Sequence, residues 1–525
     1  MKLSYSTIFN NIEKSIDLPD LLRMIFQNIE DLSSNKEQLL SSIIQILFKE
    51  ESLKEEIKRS EELLNDTDIT VSSFVEKALS VMSGDYVDDT ILRKIYQKES
   101  LDEQEIESIV NMSLKPDQHS LDLTLILNFI KYRGLSADNV YVLSLKMAYS
   151  GDTFDYRNSD SLDSRKVIRR YPTGGVSEKI ALIMPSLLKC FSEKYNLVSP
   201  FLVAKTLSFT GGTWDKLSSV PNFYFPKPGN ETMEILEKHN VCMTVAKGSY
   251  NPSDTNLYQL RSITNTVNSL PLIVSSIASK QISNPVDTLM LDIRFGENAF
   301  LTNKELAVEF FDQISLILKK FNIEALAEYT NTDKIFGSGI GNCLEVMESI
   351  CIMRNESGYG KFVYDESLLA DQKELVVRMT AKLLSTQFGL DYEEMETMAN
   401  EFFDKGHVYN AFREVLASHK VDGKTLDLID NFELFGKMDA LNKVPILADR
   451  DGEISEVYQR NIGNFLNIEM GAGTNVFGGD DKLYDGVLLK KKLFSKVRKN
   501  DVIAELYTES DVNPEGLSKR FFKIN

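Results

Sequence analysis

Leu207-Ser208-Phe209-Thr210-Gly211-Gly212-Thr213-Trp214-Asp215-Lys216-Leu217 is the stretch around which this chain is organised. An apolar run, Pro200-Phe201-Leu202-Val203-Ala204, feeds into it with the pattern of a buried strand. The Gly-Gly pair permits a tight turn and a close approach with no Cβ in the way. Thr210 and Thr213 flank the pair with hydroxyls. Arg169-Arg170-Tyr171-Pro172-Thr173-Gly174-Gly175-Val176-Ser177-Glu178-Lys179 has a similar design and leads into an apolar helical run, Ile180 to Leu188. Two such turns opening onto helices offer two clusters of backbone N–H groups, which suit an anion. Either turn alone is equally well explained as a tight turn and nothing more.

Outward from these loops, strand-like runs alternate with helical ones from about Asp160. Ser199 to Ala204, Val241 to Val245 and Thr288 to Ile293 read as strands, and Glu231 to Lys238 and Asn303 to Lys320 as helices. That alternation predicts an α/β fold with a parallel sheet. After Met438 the turn Asp449-Arg450-Asp451-Gly452 and Gly471, Gly473, Gly478, Gly479 and Gly486 punctuate short strands, a β-rich C-terminal part. Upstream, residues 1–88 are helical, with Leu21, Leu22, Ile25, Phe26 and Ile29, then Leu39, Leu40, Ile43, Ile46 and Leu47, at helical spacing. A second helical region follows to about Tyr156, opened by Ser100-Leu101-Asp102-Glu103-Gln104-Glu105 with Ser100 as the expected N-cap. Gly337-Ser338-Gly339-Ile340-Gly341-Asn342 lacks the feeding strand and later acidic residue of a dinucleotide motif, and is expected to open a helix.

The 525 residues carry 59 basic and 78 acidic side chains, a formal net charge of −19. This excludes a nucleic-acid polymer as main partner, which would need a basic surface. Cys190, Cys242, Cys343 and Cys351 are scattered, as in reduced thiols of a cytoplasmic protein. No run has the length of a membrane span, and four unpaired His make a metal site unexpected.

Thr210 to Phe223, read as Thr-Gly-Gly-Thr-x-Asp-Lys-Leu-x-Ser-x-Pro-x-Phe, is similar to the signature of the thymidine and pyrimidine nucleoside phosphorylases. The resemblance continues through Tyr258 to Val267, Ser269 to Ile273 and Gly341 to Val346, and covers roughly residue 90 onward. It implies a small discontinuous all-α domain (89–158 and 252–284) and a larger α/β domain (159–251 and 285–437). These precede the β-rich part (438–525) and follow an accessory helical segment (1–88). It also implies a homodimer, a pyrimidine nucleoside or base in the inter-domain cleft, inorganic phosphate as co-substrate, and no other cofactor. Arg261, Ser276 and Lys280 stand where the family grips the base, with Ser276 and Lys280 an i,i+4 pair on one helix face. Arg261 and Lys280 are the expected stabilisers of the negative charge that develops on the departing base.

The phosphate half departs from the pattern. Arg170 replaces a Lys and keeps the charge, but Tyr171 replaces a His that acts near sugar and base, and Pro172 replaces a Ser ligand. Ala181 and Val203 replace two further Ser, and Phe209 a His. Arg170, Thr173, Lys205, Ser208 and Thr213 remain as candidate phosphate contacts, with Tyr171 at the catalytic His position. Each lost hydrogen bond to a charged group is worth about 1.5–3 kcal/mol. The expected function is cleavage or transfer at a pyrimidine N-glycosidic bond with a degraded or rebuilt phosphate site. The alternative is a non-catalytic nucleoside-binding, regulatory or structural homologue. A phosphoribosyltransferase is a more remote alternative, lacking the acidic metal motif it needs.

Overall fold

The computed structural model describes residues 5–32, 34–59, 61–85, 89–162, 164–206, 208–245, 249–472 and 483–525. Leu207, Gly473, Gly478 and Gly479, singled out in the sequence, lie outside them. The chain forms two compact units, Met1–Thr153 with Asn251–Ser283, and Phe154–Tyr250 with Asn284–Asn525.

The first unit is built of helices. The Leu18–Gln27 helix buries Leu21, Leu22, Ile25 and Phe26, one stripe of an amphipathic pattern. The Lys36–Lys49 helix is capped by Asn35, whose Oδ1 accepts from the Gln38 N–H at 2.9 Å. It buries nine consecutive residues, Leu39 to Leu47. A helix buried all round lies inside a unit, not at its edge. Leu40 and Ile43 share one core with Leu123 to Ile130 and with Leu257, Leu260 and Leu272. The described residues of 1–88 therefore belong to the same core as the helices that follow. The expected cap at Ser100 is corrected: the Glu103–Ser113 helix is capped by Asp102. Asp102 Oδ1 accepts from the Glu105 N–H (2.9 Å) and Glu105 Oε2 from the Asp102 N–H (2.8 Å), a reciprocal box that Ser100 cannot match from two residues earlier.

The second unit holds a five-stranded sheet: β1 (Lys166–Pro172), β2 (Leu197–Val203), β3 (Val241–Val245), β4 (Thr288–Phe295) and β5 (Glu324–Asn331). The order is β3-β2-β1-β4-β5 and every pairing is parallel. The chain winds outward from β1 to β3, then returns to the other side of β1 for β4. Ligands of such sheets sit beyond the carboxyl ends of the strands at this reversal, here β1 and β4. β1 does not read as a strand in sequence, because Arg169 and Arg170 stand at its middle. Both are buried, held by partners from distant segments, Arg169 by Asn284 and Arg170 by Asp292. The first Gly-Gly loop leaves the end of β1 and the second follows β2. Gly341 opens the Asn342–Arg354 helix, as expected of the glycine-rich stretch.

The later part of this unit is rich in β structure. Asn442–Leu447, Val502–Thr508, Gly486–Leu489 and Gly339–Ile340 form one antiparallel sheet, and Gly452–Val457 pairs with Lys496–Val497 and Phe522–Ile524 in another. Among the described residues, no helix is long and apolar enough to cross a membrane, and no group of three or more His, Cys, Asp or Glu could hold a metal.

Candidate functional site

Arg261, Ser276 and Lys280 all fall in the first unit. Arg261 closes the Pro252–Ile263 helix, and Ser276 and Lys280 lie on the Leu270–Ser283 helix. The i,i+4 spacing works as expected: the buried Lys280 Nζ donates to Ser276 Oγ at 3.0 Å. It also makes a short ion pair with Asp254 Oδ2 and lies 5.3 Å from the Tyr258 ring centroid. Arg261 is buried, with Nη1 donating to Leu272 O (3.1 Å) and Nη2 to Val267 O (3.0 Å). Burial, only partly offset by Asp254 and Tyr258, lowers its pKa to about 10. Two polar atoms here are buried without a hydrogen-bond partner: Arg261 Nε, a donor, and Asp254 Oδ1, an acceptor. Orphaned buried groups of this kind are uncommon and call for an explanation. Asp254 is a residue that sequence reading missed. The signal was available, because Asp254, Tyr258 and Arg261 are spaced i, i+4, i+7 and so share one helix face.

Tyr171, Arg170, Thr173, Lys205, Ser208 and Thr213 all fall in the second unit, and there the cations have partners of their own. Arg170 Nη2 donates to Glu178 Oε1 at 2.9 Å and pairs closely with Asp292 Oδ2. Arg294, two residues along β4 on the same face as Asp292, approaches Asp292 Oδ2 at 3.1 Å and Glu178 Oε1 at 3.5 Å. Thr330 of β5 donates to Asp292 Oδ1 at 3.0 Å. Burial alone would raise both carboxyls, but the guanidiniums outweigh it. Asp292 is held at about 2 and Glu178 below its usual value. Arg170, which burial would lower, ends up raised by Glu178 and Asp292. Deeper in, Lys216 Nζ lies 2.9 Å from Glu345 Oε2, and Lys179 Nζ 3.1 Å from Glu348 Oε2. Each of these buried cations therefore has a carboxylate. Asp292 and Arg294 were missed in sequence. An acid and a base alternating through the apolar run Leu289 to Phe295 were the available signal.

The two Gly-Gly pairs serve the protein's own packing. At Gly175 an added Cβ would lie 3.0 Å from Arg294 Cδ, so the loop rests directly on that side chain. Thr173 Oγ1 accepts from the Arg294 N–H at 2.9 Å. At Gly212 a Cβ would come within 3.0 Å of Asp215 Oδ2 and of the Lys205–Thr206 backbone. Asp215 Oδ2 in turn accepts from the Thr206 N–H (2.7 Å) and hydroxyl (2.9 Å), closing the loop on itself. Thr213 begins a helix of six residues, and Lys205 Nζ lies 4.4 Å from the Trp214 ring centroid. Ser208 is half-buried with φ +53°. Tyr171 is buried on β1. Phe209 packs on Phe300 (centroids 4.9 Å apart), and Phe300 lies 3.5 Å from where a Gly174 Cβ would be. The mouth of the first loop is thus aromatic.

Residues 202–408 match the model of the glycosyl transferase family, a/b domain. The pyrimidine-nucleoside phosphorylase of Geobacillus stearothermophilus is 27% identical over 421 residues, 80% of this chain and 92% of that protein. That of Bacillus subtilis (strain 168) is 26% identical over 437 residues, 83% and 95% of the two chains. The thymidine phosphorylase of Sinorhizobium fredii (strain NBRC 101917 / NGR234) is 26% identical over 394 residues, 74% and 84%. The signature loops, the parallel sheet and these relatives agree with one another, and they support a divergent relative of the thymidine and pyrimidine-nucleoside phosphorylases.

Proposed function

We propose that the chain binds a pyrimidine base or nucleoside through Arg261, Ser276 and Lys280, and acts at the N-glycosidic bond as a pentosyltransferase whose use of phosphate is much reduced. The observation that carries the base-binding reading is the orphaned pair, Arg261 Nε and Asp254 Oδ1, beside the Lys280 ammonium. A uracil or thymine edge offers carbonyl acceptors and an N–H donor, the complement of that set. As the glycosidic bond breaks, negative charge grows on the base oxygens, and fixed cationic donors stabilise it. Lys280 and Arg261 are such donors, pre-oriented by Ser276, Asp254 and backbone carbonyls.

Calorimetric titration with uracil, thymine, uridine and thymidine tests the reading. Binding of at least one ligand is expected, with Arg261→Ala and Lys280→Ala each weakening it by at least tenfold, the size of one charged hydrogen bond. No heat at millimolar ligand, or binding indifferent to both substitutions, contradicts it.

A second reading, nucleoside binding without turnover, is favoured by one observation: the Arg170 guanidinium is already paired with Asp292 and Glu178. Inorganic phosphate as co-substrate would have to compete with those two carboxylates. The family reading also brings a homodimer, which light scattering tests. A mass near twice 59.5 kDa is expected, and a monomer at micromolar concentration opposes it.

A further inference from the structure

The resemblance to the phosphorylases read in sequence covers roughly residue 90 onward, yet the Lys36–Lys49 helix sends two buried polar side chains to the turn that follows Arg261. Ser41 Oγ donates to Thr264 O at 2.6 Å and Gln45 Nε2 to the same oxygen at 2.8 Å. Both side chains are fully buried among Leu and Ile; Ser42, also buried, bonds within the helix, to Gln38 O at 2.8 Å. Thr264 is the C-cap of the helix that carries Arg261, so its carbonyl belongs to the end of a helix, where the last carbonyls lack partners within the helix. Two donors from another helix fill both of its lone pairs. The next carbonyl, Asn265 O, accepts from Lys131 Nζ at 2.8 Å, and Lys131 also donates to Gln45 Oε1 at 3.2 Å. Asn128 Nδ2 donates to Ser41 Oγ at 3.0 Å, which orients that hydroxyl.

We propose that Ser41 and Gln45 are positioning residues, and that the N-terminal helices work as a clamp that fixes the geometry of the Arg261 guanidinium. This inference rests on the base-binding reading of Arg261. The connection is a chain of hydrogen bonds. Asn265 takes the left-handed conformation (φ +53°), and the Thr266 N–H returns to Arg261 O at 3.1 Å. The backbone so placed presents Val267 O and Leu272 O, the two acceptors that hold Nη2 and Nη1 of Arg261. Without the clamp, the two acceptors keep their chemistry but lose their fixed place, and a binding group displaced by a fraction of an ångström loses its effect. The N-terminal helices thereby acquire a role in the site. An apolar packing role would need no Ser or Gln at fully buried positions, where polar groups are disfavoured unless they make specific bonds.

The test uses the full chain with Ser41→Ala, Gln45→Met and the double variant, and with Ile43→Val as a control that trims the same helix without touching the clamp. Amide hydrogen exchange across residues 264–272 is expected to quicken about tenfold in the double variant and less in each single one. Residues 5–13 and 18–27 of the neighbouring helices should keep parent rates. Ile43→Val should leave residues 264–272 unchanged. The dissociation constant for the tightest-binding pyrimidine should rise about tenfold in the double variant and stay at the parent value in Ile43→Val. Parent rates at 264–272 in the double variant overturn the proposal, as does an equal change in the control. Quickened exchange with unaltered pyrimidine affinity also overturns it, leaving the bonds as packing only. If the parent binds no pyrimidine, the base-binding reading fails by itself, and the exchange data still decide whether the clamp exists. Should the double variant not fold, the two single variants carry the same comparison.

Discussion

Asp292 has no access to water and two guanidiniums against it, so its replacement is a severe test of the buried network. Asp292→Asn leaves Arg170 and Arg294 in the interior with only Glu178 to answer them, and removing one member of a buried ion pair costs about 3–5 kcal/mol. Denaturant unfolding at pH 7 should show a loss of that order. The native carboxyl sits at about 2 and the unfolded one near 3.8. Its contribution is therefore complete above about pH 4 and is lost as pH falls through 2. His419 acts in a different window. It is buried and stacked on Phe223, its Nε2 accepting from the Met243 N–H at 3.1 Å and its Nδ1 lying 2.8 Å from Tyr224 O. Burial, slightly offset by the Tyr224 carbonyl, lowers it from 6.5 to about 4. The unfolded chain binds the proton first. Stability from this residue is full above pH 6.5 and falls by up to about 3 kcal/mol by pH 4. Unfolding free energies at pH 7 and 5 should differ in the parent, and the difference should shrink in His419→Gln; equal differences in both would exclude the histidine as its source. At this scale Arg261, Ser276 and Lys280 were named from the family resemblance, and the Ser276–Lys280 contact is legible from its i,i+4 spacing alone. The partner of Arg170 on β4 is 122 residues away and is set by strand order, which no local pattern encodes.

At the level of elements, the second Gly-Gly loop is decided by crowding. Gly212 has φ −80°, an ordinary value, so the glycine is required by space and not by backbone conformation. Gly212→Ala would drive a methyl into Asp215 and the Lys205–Thr206 backbone. Overpacking of this kind costs about 1–3 kcal/mol. A lower melting temperature is expected, and an unchanged one would mean that the loop opens freely. The strands β2, β3 and β4 and the helices between them were legible because apolar residues carry their periods. β1 was not, since its centre is two arginines whose burial depends on Asn284, Asp292 and Glu178. The helix cap at Asp102 was displaced from Ser100 because two competing cap residues stand within one hexapeptide, and the reciprocal bond with Glu105 decides between them.

For the whole molecule, the proposed pyrimidine site is a donor-rich set in one unit, and in the other Arg170, Arg294, Lys179 and Lys216 each meet a buried carboxylate. An acidic protein with a net charge of −19 has no long-range attraction for phosphate, so phosphate affinity must come from local donors. Arg170 Nη2 is engaged by Glu178 and Asp292, and Pro172, Ala181 and Val203 bring no hydroxyl. Poorly held nucleophile and well-held base together predict slow chemistry on a bound nucleoside. Release of free base from uridine and thymidine, followed by absorbance with phosphate, with arsenate and with neither, measures this directly. The account predicts tight or moderate nucleoside binding with phosphate-dependent release orders of magnitude below that of a typical phosphorylase. Fast, saturable, phosphate-dependent release would contradict it.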